Sequence, residues 1–477
     1  MNYEAVIGIE IHVEMKTKSK MFSSSFNSFG SDVNTNVSPV DLAFPGTLPM
    51  VNKQAVINAI RVCNALNMKI DQELWFDRKN YFYSDLPKGY QITQQFRPIG
   101  SDGYVDIDLD DNTSKRINIE RLHMEEDTCK QLHLSDCSLL DYNRAGTPLV
   151  EIVSRPEMRS GKEASRYVDA IKSIVIYSDV SDGKMEEGSL RCDVNISIRP
   201  VGESKFGTKV EIKNLNSTAN VERAIDYEIK RQAEILDAGG VIEQETRRFD
   251  ETNKCTVLMR KKNNAVDYKY FTEPNIPPIR LSDEFVKEAI ETCPELAHKK
   301  VARYKELGLS SQEAHQIILD KGLTLYFDEC LKHTSLAKPV WNFLVVDVAS
   351  YLNKRGLKSE AFTLNPELLV KLLVIINKQE ISYAQGRKVF ECMLEKEEDP
   401  TLIIERLGLK QNSNTDEIKS IVEEVLKENP QSVIDFRNGK DRAVGFIIGQ
   451  VMKKSRGKAN PQIASKLVNE LLKTWEI

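Results

Sequence analysis

The sequence predicts an α+β fold in its first part and an all-α fold in its second. Three observations carry this. Apolar residues alternate strictly in several segments before residue 280. Helical patterns fall between those segments without the regular order of βαβ units. After the prolines at 274, 277 and 278, nearly every segment has helical period and short connections.

The strands are the clearest elements. In Val6–Glu14, residues Ile7, Ile9, Ile11 and Val13 fall on one face and Gly8, Glu10, His12 and Glu14 on the other. Leu190–Arg199 repeats the pattern, with Leu190, Cys192, Val194, Ile196 and Ile198 opposite Arg191, Asp193, Asn195, Ser197 and Arg199. Further strands are expected at 104–109, 116–124, 149–153 and 209–213. Helices are expected at 53–66, 162–177 and 218–238, the last stopped by Gly239-Gly240. A second break is read near Asp399-Pro400.

Composition narrows the class. The 477 residues are too many for one core, so two or three domains are expected. The net charge of −5 does not mark a nucleic-acid binder as a whole, but the stretch from Arg437 to Ile477 holds nine Lys/Arg against three Asp/Glu. The start lacks a basic, then apolar, leader, and no stretch approaches the ~20 apolar residues of a membrane span, so a cytoplasmic protein is expected. The eight cysteines form no C-x-x-C pair, which fits free thiols.

Chemistry concentrates at a few places. Glu10 and His12 lie two apart on one strand face, so they point into the same space; a solvated polar face is the alternative. His123-Met124-Glu125-Glu126-Asp127 sets an imidazole beside three acids. Glu151 sits among Leu149, Val150, Ile152 and Val153 and needs a partner for its charge: a cation, or Arg144 or Arg155. Oxygen ligands with at most one imidazole suit Mg²⁺ or Mn²⁺.

No P-loop and no G-x-G-x-x-G occurs. Instead, Arg191, Asp193 and Asn195 share one strand face, and Lys209, Glu211 and Lys213 share another. Phosphoryl transfer uses this mixture of acids and cations, and so does a cross-strand salt-bridge ladder. The run Asp77–Gln91, dense in aromatics and cations, reads as a loop facing a nucleotide or RNA, or as a packed surface loop.

Taken as whole strings, these segments resemble the B-subunit family (GatB) of the aspartyl/glutamyl-tRNA(Asn/Gln) amidotransferases. The strings are Val6–Glu14, Asp77–Gln91, His123–Asp127, Asp141–Pro148, Lys184–Asn195, Phe206–Ser217, Gln244–Asp250, Gly445–Lys453 and Gly457–Pro461. The likeness runs essentially end to end. It implies a cradle-like, largely antiparallel catalytic domain (1–290), a helical domain (291–400) and a small helical tail (401–477), the last two holding tRNA.

The activity it implies is ATP- and Mg²⁺-dependent phosphorylation of the side-chain carboxylate of Glu-tRNA(Gln) or Asp-tRNA(Asn), then amidation by ammonia. By the same resemblance, Glu10, His12, Glu125 and Glu151 look like cation ligands, with His12 and Glu125 also catalytic. Glu186, Arg191, Asp193 and Lys213 look like nucleotide-side residues. Lys79, Tyr81 and Lys88 look like residues of the substrate side or channel mouth, Lys79 and Tyr81 as catalytic groups and Lys88 with the nucleotide-side set.

Nothing here resembles a glutaminase. Ser23-Ser24-Ser25 reads as a polar turn, so ammonia must come from a partner. In this family the partner is an amidase, joined through a small third component as a heterotrimer. Some members carry a cysteine pair where Ser38 and Asp41 stand, so no zinc is expected. Cys129, Arg155, Glu157 and Thr272 are further departures. The rivals are an RNA adaptor of the same fold without chemistry, and a lone carboxylate-metal hydrolase.

Overall fold

The computed structural model describes residues 2–109, 113–261, 267–410, 414–437, 440, 442–455 and 459–475. Gly457 and Lys458 of the C-terminal string, and part of the basic run, lie outside the described residues.

Two compact units emerge, Met1–Ala297 and His298–Ile477. The strands of the first are β1 (Tyr3–Glu14), β2 (Lys69–Ile70), β3 (Glu73–Leu74), β4 (Asp77–Asn80), β5 (Tyr90–Thr93), β6 (Gly100–Asp108), β7 (Ser114–Glu126) and β8 (Lys130–His133). They continue with β9 (Ser138–Asp141), β10 (Pro148–Ser154), β11 (Leu190–Pro200), β12 (Val210–Lys213), β13 (Glu245–Asp250), β14 (Cys255–Lys261), β15 (Phe271–Thr272) and β16 (Ile279–Arg280). Nine form one sheet in the order β14-β13-β12-β11-β1-β10-β7-β6-β2, antiparallel except where β12 meets β13.

The alternation read in the sequence is the reason β1 and β11 sit at the centre. Ile7, Ile9, Ile11 and Val13, with Leu190, Cys192, Val194, Ile196 and Ile198, are all buried in one core. Helices α1 (Lys53–Ala65), α2 (Gly161–Tyr177) and α3 (Thr218–Asp237) cover that apolar face. Each starts on a side-chain cap: Asn52, Ser160 and Ser217 accept from backbone N–H groups of the first turn. With the helices on one side, the polar face of the sheet is left open.

Two readings of the sequence need correction. Asp77–Gln91 is not one loop: it begins in β4 and ends in β5, which pair from Asp77↔Thr93 to Asn80↔Tyr90, with β15 on the other edge of β4. Residues 81–89, with Tyr81, Phe82 and Tyr83, form the connection between the two strands. At Asp399-Pro400 the helical structure is interrupted only between Tyr383–Glu395 and Pro400–Leu407, two helices that pack into one core. The Asp399 carboxylate accepts from Thr401 N at 2.9 Å, Pro400 takes the first helical position, and Ile403 and Ile404 pack into the core built on residues 301–404. The next core begins at Ile418 and runs to Leu472. From Asp283 onward the described elements are helical, and none of the described helices is long and apolar enough to cross a membrane.

The packing of α2 on α3 depends on Gly161. A Cβ there would lie 2.6 Å from the Glu222 carbonyl oxygen and 2.7 Å from Asp226 Oδ1. Gly161→Ala should therefore lower stability by about 1–3 kcal/mol, read as a lower urea midpoint of the first unit. An unchanged midpoint would contradict this close approach.

Candidate functional site

The open face is organised by register. His12 of β1 lies opposite Glu151 of β10, and Glu151 lies opposite His123 of β7. On the other side His12 faces Arg191 of β11. Four polar side chains thus form a row across four adjacent strands. Glu125, two residues past His123 on β7, points to the same side.

The result is a tight cluster. Ligand atoms of His12, Glu125 and Glu151 all lie within 4.8 Å of one another. Nε2 of His12 is 3.4 Å from Glu151 Oε2 and 3.7 Å from Glu125 Oε1. Nε2 of His123 is 3.1 Å from Glu151 Oε2 and 3.6 Å from Glu125 Oε2. Burial opposes a charge on either imidazole, but the carboxylates of Glu151 and Glu125 outweigh it. His12 is held above its ordinary value, and His123 is pushed up to about 9. Burial would raise Glu151, yet the two histidines hold it well below the usual carboxylate range.

The other expected residues separate into groups. Glu10 is not among the converging ligand atoms. Two residues along an extended strand is roughly 6.6 Å, and its carboxylate accepts from Asn195 Nδ2 at 2.8 Å instead. Burial, with Glu151 and Asp193 nearby, raises its pKa. Lys213 bridges Asp193 and Glu211, the latter at 3.4 Å. Arg191 donates to Asp127 Oδ2 at 2.8 Å, and Arg144 lies 3.5 Å from the same oxygen. Lys88 pairs with the buried Glu126. Lys79 projects over the Tyr268 ring at 4.9 Å and the Tyr81 ring at 5.9 Å, within electrostatic reach of Glu125 and Glu151. Glu186 is exposed in the turn before β11 and is not drawn into any of these groups.

The open face thus converges two imidazoles and two carboxylates, with lysines and an arginine around them. Over residues 5–287 the chain matches the GatB/GatE catalytic domain, and over residues 325–472 the GatB domain. The chain belongs to the GatB family. It is 48% identical to the aspartyl/glutamyl-tRNA(Asn/Gln) amidotransferase B subunit of Bacillus licheniformis over 472 residues, covering 98% of this chain and 99% of that one. It is 48% identical to the Bacillus velezensis protein of the same description, covering 99% and 100%. Against that of Oceanobacillus iheyensis it is 47% identical, covering 99% of each chain.

Two carboxylates and one imidazole at this spacing suit a hard divalent cation. Within the GatB-family string His123–Asp127, the histidine joins the cluster with Glu125, while Glu126 and Asp127 pair with Lys88 and Arg191. The strand expected from the sequence ends at Met124; because β7 runs on to Glu126, His123 and Glu125 share a face. Nδ1 of His123 is buried without a hydrogen-bond partner among the described residues. The Arg144 and Arg155 partners considered for Glu151 are taken elsewhere, by Asp127 and Asp102. Glu14 is a further titrating group that the sequence reading does not single out: burial and the neighbouring Asp127 push it up to about 7.

The serine run is tied down. Ser23 and Ser25 donate to Asp41 at 2.7 and 2.6 Å, Ser38 donates to it at 2.9 Å, and the buried Lys20 ammonium lies 3.5 Å away. Three hydroxyls and a carboxylate beside an ammonium are a poor zinc set.

The sign of the histidine shifts makes stability pH-dependent without cation. His123 titrates at about 9 in the folded chain against about 6.5 unfolded. Its contribution is full below pH 6.5 and is lost as pH rises through 9. The melting temperature of metal-free protein should fall between about pH 7 and about pH 9.5, and that fall should shrink in His123→Gln. An identical pH slope in the two proteins would contradict the paired-histidine arrangement.

Proposed function

We propose that this chain is the transamidating component of a tRNA-dependent amidotransferase. It transfers the γ-phosphoryl group of ATP to the side-chain carboxylate of Glu-tRNA(Gln), Asp-tRNA(Asn) or both. ADP leaves, ammonia attacks the acyl phosphate, and inorganic phosphate departs as the amide of Gln-tRNA or Asn-tRNA forms. The observation that carries this reading is the convergence of His12, Glu125 and Glu151 on the open face of a sheet that also presents lysine and arginine side chains.

His12, Glu125 and Glu151 would hold Mg²⁺, and Mn²⁺ fits the same donors. When bound, the ion supplies charge neutralisation at the transferring phosphoryl group. The chain's own groups do the rest. Lys213 and Arg191, on the β11–β12 side, meet phosphate oxygens; Asp193 and Asp127 hold them in place. Glu10, beside Asp193 and Asn195, orients that side of the site. Lys79 meets the substrate carboxylate, with Tyr81 packed beside it. Lys88, anchored by Glu126, lies where ammonia would approach from the β4–β5 side.

Two things support a partner as the ammonia source. The hydroxyls of Ser23 and Ser25 are committed to Asp41, and the relatives are themselves described as B subunits of an amidotransferase. An amidase and a small third component complete the reading as a heterotrimer. The chain's second unit, with cores at 301–404 and 418–472, is assigned to holding tRNA.

His12→Ala, assayed with labelled Glu-tRNA(Gln), ATP, Mg²⁺ and glutamine in the assembled complex, should lower amide formation by at least about 100-fold. That is the scale of losing one group that stabilises developing charge. The tRNA Kd should change less than threefold. Near-normal amidation would sink the cation assignment. Ending the chain after Lys410, where the 301–404 core is complete, should raise the tRNA Kd at least tenfold while the first unit keeps its urea midpoint. Unchanged affinity would refute the tail's role.

A further inference from the structure

The segments flanking the small sheet of β5, β4 and β15 carry a feature of which the catalytic reading uses only Lys79 and Tyr81. Tyr81, Tyr268, Tyr270 and Phe96 form a continuous aromatic wall. Tyr81 and Tyr268 have ring centroids 5.8 Å apart, Tyr268 and Tyr270 5.9 Å, and Tyr270 and Phe96 6.5 Å, with planes inclined at 65–71°. Backbone pairing fixes the wall. Asn80 N–H donates to the Tyr268 carbonyl at 2.9 Å, Asn80 Nδ2 donates to the Lys269 carbonyl at 2.7 Å, and Phe271 lies opposite Arg78. The three tyrosines are half-buried, and Phe96 is 60% exposed. None of the four belongs to the buried core, and Phe96 presents most of its surface to solvent.

The wall stands beside the cation cluster. Lys79 projects from the same sheet over Tyr268, and both Lys79 and Tyr270 feel the charges of Glu125 and Glu151. Among the described residues the Lys79 ammonium has no hydrogen-bond or ion-pair partner. The order along the surface is therefore aromatic wall, single cation, carboxylate cluster.

We propose that the wall is the stacking subsite for the terminal adenosine of the acyl-RNA, with Lys79 between base and cation cluster to receive the side-chain carboxylate. The inference rests on the reading of the chain as the amidating component for an acyl-tRNA. Rings in edge-to-face contact hold one another in place, so a purine would stack on the wall's outward ring faces rather than between the rings, and aromatic faces bind bases without needing sequence-specific contacts. Charge decides between the two adenosines the reaction uses. A nucleoside triphosphate brings about four negative charges and needs several cations, and Arg191 and Lys213 stand on the opposite, β11–β12 side of the cluster. The end of an acylated RNA brings one carboxylate past its ribose, matched by one lysine.

The test uses the assembled complex and full-length tRNA whose terminal adenine is replaced by 2-aminopurine, with 2-aminopurine riboside triphosphate as the second probe. Binding of the labelled tRNA should quench its fluorescence. Tyr268→Leu and Tyr270→Leu should abolish that quench and lower kcat/KM for acyl-tRNA by about tenfold, within the range found for losing one base–aromatic stack. Tyr270→Phe should behave as the unmodified protein, which separates stacking from misfolding. The tRNA Kd and the KM for ATP should stay within threefold. No quench with the labelled tRNA, or a quench that survives both leucine variants, overturns the proposal. Quenching confined to the triphosphate probe overturns it in favour of ATP. Absence of amide formation by the unmodified complex would instead refute the underlying activity.

Discussion

The antiparallel register of β10 between β1 and β7 is the constraint on which the site depends. It places Glu151 directly between His12 and His123. A buried carboxylate without a partner is expensive, and here the neighbouring strands provide two. Because side chains alternate with period two, a slip of one residue in either pairing would turn the row onto the apolar face. The buried isoleucines of β1 and β11 therefore secure the polar row as well as the core: the packing that fixes one face fixes the other.

The same constraint explains how charge is distributed around the cluster. Three cations near the triad are tethered by acids: Lys213 by Asp193 and Glu211, Arg191 by Asp127, which Arg144 also approaches, and Lys88 by Glu126. Lys79 differs from them, lying over aromatic rings rather than on a carboxylate. Tethered cations keep their positions and most of their charge, and can meet phosphate oxygens without first being ordered. That preorganisation is what phosphoryl transfer asks of a protein.

Much of the fold is legible in the sequence because it rests on local rules. The strands at β1 and β11 follow from alternation, and α2 and α3 from periodicity. Their caps at Ser160 and Ser217 are ordinary helix starts. The site is legible in part. His12 and Glu125 lie in strings resembling a family, Glu151 stands out as a carboxylate within an apolar run, and the three meet in space. Glu10, from the same string as His12, does not join them, because adjacency on a strand face still leaves residues a pleat apart. His123 is noted beside the acids but not counted with the cation ligands, because a strand expected to end at Met124 does not carry its face on to Glu125. The pairing of Lys88 with Glu126 and of Arg191 with Asp127 depends on contacts between distant segments, which no local pattern encodes. Asp399-Pro400 misleads for the opposite reason: proline after an acid marks a helix start as readily as a break.

The central claim is that three residues on three neighbouring strands make one cation site. The most direct test is Mn²⁺ binding to the full chain, followed by electron paramagnetic resonance of the free ion. The account predicts one tight site that is lost in His12→Ala, Glu125→Gln and Glu151→Gln taken singly, and kept within a few-fold in Glu10→Gln. Tight binding that survives Glu151→Gln, or that depends on Glu10 as strongly as on the other three, would contradict it.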